Sequence, residues 1–284
     1  MAAIQPGKRR IVASPGAWLV WGVVAFFLVN LAGVVGSVLV SSFGTQWFGT
    51  WLPAGVTTSW YADAWRSFGL FEVVSVTLQV SLLVVLISVL IGVPASYVLA
   101  RRTFPGKKLV YFAFLLPILM PPITYGIPLA SVLYKFWLAP GLPGVVLANL
   151  VPSVPFVILT MTPFIEQINP SIESAARMCG AGMRSVFLRV IGPLLVPGIL
   201  AASILVLVRT VGMFELTFFT AGPDSKTLVV VLYDAMSAAG IRAQQSVDAM
   251  AVIYTSTMMV LLVIALRYVN PTQLVARVKE APEP

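Results

Sequence analysis

Arg209 and Glu215 lie in "RTVGMFELTFF", an otherwise apolar stretch, and they are the ionisable residues placed clearly inside one. A charge in such surroundings costs free energy and usually faces protein or a water-filled cavity. Their spacing is about 240° around a helix, so the two do not pair along one face. Recognition of a solute, or pairing with another subunit, is the chemistry open to them. Glu215, near the end of its stretch, also suits an anchor at the membrane–water interface. Catalysis finds little support. The chain has no histidine and a single cysteine, Cys179. The commonest general base and metal ligand is therefore missing, and no internal disulfide can form. The remaining acids and hydroxyls form no catalytic constellation. No metal and no resident cofactor is expected.

A second polar group interrupts the apolar sequence at 171–199, "SIESAARMCGAGMRSVFLRVIGPLLVPGI". Asn169 and Pro170 suit a helix start, Asn as cap and Pro in the first turn. Ile172, Ala175, Ala176 and Cys179 then recur at i, i+3, i+4 and i+7, which predicts one narrow apolar face. Glu173 and Arg177 stand off that face as an i, i+4 pair in the favourable order. Gly180-Ala181-Gly182 is expected to break the helix. A second helical stretch over 184–191 leads to Pro193 and back into apolar sequence. Small residues such as Ala175 and Ala176 bury little area against lipid but allow close approach of another protein. A helix lying among lipid headgroups is the competing reading.

The elements that position these groups follow from composition. Of 284 residues 59% are hydrophobic and 10% charged, against about 25% charged in a soluble domain. Several apolar runs reach the roughly 20 residues that span a bilayer core. Six spans are expected, at about 18–40, 73–99, 109–133, 145–165, 195–219 and 247–268. The fold class is thus an all-α polytopic membrane protein. The first run is long and lacks a convincing cleavage site, so it reads as a retained helix. Segment 1–17 and tail 269–284 flank the 18–268 membrane domain, whose polar loop covers about 166–194. Between spans one and two, Trp47, Trp51, Trp60, Tyr61 and Trp65 suit an interface.

With both termini cytoplasmic, most of the 18 Lys and Arg fall on one side: Lys8, Arg9, Arg10, Arg101, Arg102, Lys107, Lys108, Arg177, Arg184, Arg189, Arg267, Arg277 and Lys279. Arg66, Lys135, Lys226 and Arg242 fall on the other. This asymmetry matches the positive-inside rule. It explains the net charge of +8 through membrane lipid and topology, so no nucleic-acid partner is expected. Pro117, Pro121, Pro122 and Pro128 interrupt the third span; Pro152, Pro155 and Pro163 interrupt the fourth. Such prolines read as kinks, and Pro121 and Pro122 as part of a bent helix at a solute pathway.

The polar loop resembles the EAA loop of permease subunits of binding-protein-dependent ABC importers. That pattern is Glu-Ala-Ala, three residues, Gly, nine residues, Ile-x-Leu-Pro. Ala175, Ala176, Gly180 and Pro193 match it, and Val190 replaces Ile. Ser174 stands at the Glu position, with Glu173 one residue early, and Gly192 stands at the Leu position. The likeness runs from about Tyr61 to Arg267 and includes "LLPILMPPITYGIPL" and "LVPSVPFVI". It is closest to the polyamine, opine, phosphonate and ferric-iron branch, with sugar permeases more distant. The resemblance implies a six-helix type I importer permease in a bacterial inner membrane. It implies a second permease subunit (a different chain), two ATPase subunits that bind ATP and Mg, and a periplasmic or lipid-anchored binding protein. Glu173, Ser174, Ala175, Ala176, Arg177, Gly180 and Pro193 would couple to the ATPase. Arg209, Glu215, Pro121 and Pro122 would line the pathway or a subunit contact. The chain itself carries no G-x-x-x-x-G-K-[ST] phosphate loop, since "FPGKK" lacks the spacing; it is not expected to be the enzyme. A sugar permease is the alternative reading. A self-contained secondary transporter is another, but paired inverted halves are not evident.

Overall fold

Helix dominates because every backbone polar group in hydrocarbon must be paired within its own segment. In the computed structural model the described residues are 15–47, 50, 52–238 and 243–268. Lys8, Arg9, Arg10, Trp51, Arg242, Arg277, Lys279, most of segment 1–17 and the tail 269–284 lie outside them. The helices are α1 (Pro15–Phe43), α2 (Ser59–Ser67), α3 (Leu70–Arg101), α4 (Lys107–Leu119), α5 (Pro122–Lys135) and α6 (Leu142–Glu166). They continue as α7 (Pro170–Met178), α8 (Met183–Ser185), α9 (Gly192–Val211), α10 (Glu215–Thr220), α11 (Leu228–Ser237) and α12 (Gln244–Tyr268). Five are long and apolar enough to cross a bilayer: α1, α3, α6, the run from α8 into α9, and α12. The α4–α5 pair, bent by 98°, makes a sixth span.

When every face is apolar, hydrophobicity does not choose the inward one; small size and self-satisfied hydroxyls do. The buried face of α3 carries Thr77, Ser81, Ser88, Gly92 and Ser96, and Val157 and Met161 of α6 join Val80, Val84, Val93 and Tyr97 of α3 in one buried cluster. Thr77 Oγ1 donates to Val73 O at 2.6 Å, and Ser81 Oγ to Thr77 O at 2.7 Å. These bonds return each hydroxyl to its own helix and leave a smooth surface. At Gly92 the two helices are in close contact. A Cβ there would lie 2.7 Å from Val157 Cγ1 and 2.8 Å from Val157 Cβ. Valine is stiff at χ1, so the helices must separate. Gly92→Ala is expected to cost about 1–3 kcal/mol and to lower the apparent Tm in detergent. Val157→Ala in the same chain should restore most of it. An unshifted Tm for the single variant would refute this packing argument.

α6 is the central helix, packed on α3, α9, α4, α5 and α10; α1 is peripheral and packs chiefly on α12. The side chains of α1, Trp18, Phe26 and Phe27 among them, are largely exposed, as suits a surface in hydrocarbon. Ser41 Oγ donates to Asp248 Oδ2 at 2.5 Å and Trp60 Nε1 to Gly44 O at 2.8 Å. These contacts pin the far end of α1 to α12 and α2. Trp60 and Tyr61 thus pack inward, while Trp47 and Trp65 are exposed.

The prolines behave unequally. Met120 and Pro121 are extended (ψ 138° and 132°) and α5 begins at Pro122. Two successive prolines remove two donors and push the preceding residue out of the α region, so the third span breaks there. Pro117 and Pro128 stay inside α4 and α5. The fourth span is not broken: Pro152, Pro155 and Pro163 sit within the continuous 25-residue α6. The fifth span also departs from expectation. It begins at Met183, not near 195, and passes through a π-helical segment, Val186–Ile191, into α9. Pro193 therefore lies inside a continuous helix and marks no boundary. Its missing N–H and its ring disturb the preceding turn, and a π segment absorbs that mismatch.

Candidate functional site

The loop helix α7 is built by local rules. Asn169 Oδ1 accepts from Ser171 N at 2.9 Å, with Pro170 in the first turn. At the other end Gly180 has φ +81°. Ala181 N donates to Ala176 O at 3.1 Å and Gly180 N to Arg177 O at 2.9 Å. This is the paired closure that a left-handed residue permits. A Cβ at Gly180 would touch nothing within 4 Å, so backbone conformation, not space, asks for glycine.

Glu173 does not stand on the outer face of that helix with Arg177. It is 6% exposed. Its Oε1 accepts from Arg101 Nε at 2.7 Å and its Oε2 from Tyr97 Oη at 2.6 Å. Arg101 also donates through Nη2 to Ile168 O at 2.7 Å. Arg177 is a distant third partner, at 3.8 Å and half exposed. A buried carboxylate needs such a partner set, because an uncompensated charge is very costly to bury. The apolar ridge is split as well. Ala176 is half-buried against the core cluster, whereas Ile172, Ser174, Ala175, Met178 and Cys179 are exposed. Met178 is 89% exposed. Pro193 is about 15 Å along its helix from Met183 and is not gathered with these residues. Tyr97 went unread in the sequence, and Arg101 was read only as a basic residue on one side of the membrane. The available signal was their i, i+4 spacing at the basic end of a span, in "SYVLAR".

The second group forms where two helix breaks meet. Arg209 lies in the last turn of α9, and Glu215 opens the separate helix α10 after a break at 212–214. The 240° relation of one continuous helix therefore does not apply to them. The Arg209 guanidinium carbon lies 5.8 Å from the centroid of the Phe156 ring, a cation–π distance. Among the described residues no carboxylate lies within ion-pair distance of Arg209. Tyr125, in the first turn of α5 after Pro121 and Pro122, has a buried hydroxyl with no hydrogen-bond partner among the described residues. Tyr125 packs against the cluster that holds Met213 and Leu216, which lie in and just after the break between Arg209 and Glu215. Asn149 Nδ2 donates to Thr217 Oγ1 at 3.3 Å and ties α10 to α6. Sequence reasoning had the ionisable pair and the prolines, and missed Tyr125 and Phe156. Both groups depend on residues far apart in the chain.

The sequence profile of the family described as "binding-protein-dependent transport system inner membrane component" matches residues 92–274. The trehalose transport system permease protein of Mycobacterium tuberculosis is 32% identical over 160 residues, covering 56% of this chain and 58% of that one. The chain thus spans about three fifths of that relative. The molybdenum transport system permease protein of Escherichia coli is 32% identical over 186 residues, covering 60% of this chain and 81% of that one. Among solved structures, a bacterial ABC transporter that imports the acidic polysaccharide alginate superposes with a TM-score of 0.71. It shares 16% identity, over 93% of this chain and 99% of that one. A further structure shows the alginate transporter in complex with a periplasmic protein bound to an alginate pentasaccharide, with a TM-score of 0.66 and 17% identity, over 88% of this chain and 93% of that one.

Proposed function

Since this chain belongs to the family of binding-protein-dependent transport system inner membrane components, we propose that it forms half of a solute pathway, with Arg209 and Tyr125 facing the solute and α7 docking a separate ATPase. The chain is a multi-pass permease subunit of an ABC importer. Its partners in this reading are a different permease subunit, two ATPase subunits that hold ATP and Mg, and a periplasmic or lipid-anchored binding protein. The membrane is the bacterial inner membrane. Arg101, Arg102, Lys107, Lys108, Arg184 and Arg267 lie at the α7 end of the spans, which supports a cytoplasmic α7 and cytoplasmic termini.

One observation carries the solute class: among the described residues, a guanidinium in a span has no carboxylate partner, and a buried hydroxyl on α5, which packs on α10, has no bond. Such a pair is complementary to an anion or an oxygen-rich solute. Of the expected solutes, opines and phosphonates fit; a polyamine would meet like charge. The imported acidic polysaccharide of the structural neighbour is in keeping with this. A neutral sugar is the second reading, favoured by the ring cluster of Phe214, Phe218 and Tyr233. Its centroids lie 5.1 Å apart for Phe214–Phe218 and 4.6 Å for Phe214–Tyr233.

Reconstitution by omission tests the division of labour. Solute uptake into liposomes is expected only with both permease subunits, the ATPase and a loaded binding protein. Uptake by this chain alone, driven by an ion gradient, would establish the secondary transporter instead. In the full system, phosphonates and carboxylates should compete for uptake and polyamines should not. Competition by neutral sugars alone would select the second reading.

A further inference from the structure

We infer that the Tyr97–Glu173–Arg101 cluster is a positioning device that makes α7 and the basic end of α3 move as one body. It thereby sets how much solute moves per ATP. The inference rests on reading α7 as the ATPase-docking helix. A nine-residue helix is too short to hold itself together in water, so its attachment decides what a push on it does. That attachment has an apolar part, Ala176 against the core. It also has a polar part, which is directional.

Both oxygens of Glu173 are engaged, one by Arg101 at 2.7 Å and one by Tyr97 at 2.6 Å. Both partners belong to the last turns of α3. Arg101 reaches further, to Ile168 O in the turn between α6 and α7. A single side chain thus ties α3, the α6–α7 turn and α7. Charge-assisted bonds with little access to water hold their geometry far better than apolar contact does. Rotation of α7 against α3 would strand a buried carboxylate, so α7 carries α3 with it. Along its length α3 packs against α6 and α9, and α9 bears Arg209. A push on α7 therefore has a stiff route to the second group. Glu173, Tyr97 and Arg101 are positioning residues in this account. They touch neither solute nor nucleotide, and the exposed face of α7 remains free to dock.

The test uses the complete reconstituted complex, with uptake and ATP hydrolysis measured together. Glu173→Gln keeps the shape and removes the charge. It is expected to lower solute moved per ATP about tenfold, the effect of weakening a hydrogen bond to a charged group, while the ATPase subunit still co-purifies. Tyr97→Phe removes one hydroxyl and should lower the same ratio less, about two- to fivefold. This milder variant keeps the test decisive if Glu173→Gln assembles poorly. An unchanged ratio in assembled Tyr97→Phe and Glu173→Gln complexes overturns the inference and leaves the cluster a structural clamp. Lost assembly with an unchanged ratio in the remaining complex does the same. Ala175→Trp is run in parallel on the docking face. If it leaves ATPase binding intact, the docking reading fails and this inference fails with it; if it blocks binding while the ratio above is unchanged, this inference alone fails.

Discussion

Arg209→Ala is expected to lower solute uptake by the complete complex about ten- to a hundredfold, the worth of a hydrogen bond to a charged group in a dry site. ATPase binding should not change, because Arg209 is near the far end of the helix that starts beside α7. The guanidinium carbon lies 5.8 Å from the Phe156 ring centroid, and among the described residues no carboxylate neutralises it. Arg209→Lys keeps the charge and loses the planar fork, and should recover part of the rate. Lys226→Ala is the control. Lys226 pairs with Asp234 at 2.6 Å with both side chains well exposed, and such surface pairs contribute little. Uptake in that variant should stay within about twofold of the unmodified chain. Equal rates for Arg209→Ala and Lys226→Ala would remove Arg209 from the pathway. Polyamine uptake by the complex carrying the unmodified Arg209 would reverse the assigned solute class, because a polycation would then pass a fixed guanidinium.

Ala175→Trp is expected to detach the ATPase subunit, with loss of solute-dependent hydrolysis of at least about tenfold, as for a bulky residue forced into a packed interface centre. The neighbouring substitution should fail differently. Ala176 is half-buried and packs against the core cluster, so Ala176→Trp overpacks the chain's own core. Its apparent Tm should fall before any docking is tested, whereas Ala175→Trp should leave Tm near that of the unmodified chain. Binding assays and melting curves on the two variants separate these outcomes. Intact ATPase binding by Ala175→Trp would refute docking through this face.

The sequence on its own determined what depends on length and on near neighbours. Long apolar runs gave the spans, because bilayer thickness fixes how many residues a helix needs. Asn169, Pro170 and Gly180 gave both ends of α7, because caps are satisfied within a few residues. Pro121-Pro122 marked the break in the third span, because two missing donors in succession cannot be spanned by an α ladder. The tertiary structure decided everything that required choosing a direction. In a chain where both faces of a helix are apolar, no periodicity says which one meets protein; Gly92 against Val157 does. Nothing near Glu173 announces that it turns inward, since Arg101 is 72 positions away. The ridge of Ala175 and Ala176 looked like one surface, yet the core takes one residue and leaves the other outside. The prolines of α6 stand apart, at 152, 155 and 163, and each removes a single donor. Packing on five neighbouring helices keeps α6 whole. Arg209 and Glu215 flank one helix break, and Tyr125 follows another in α5, which packs on α10; long-range encounters of that kind leave no mark on local spacing.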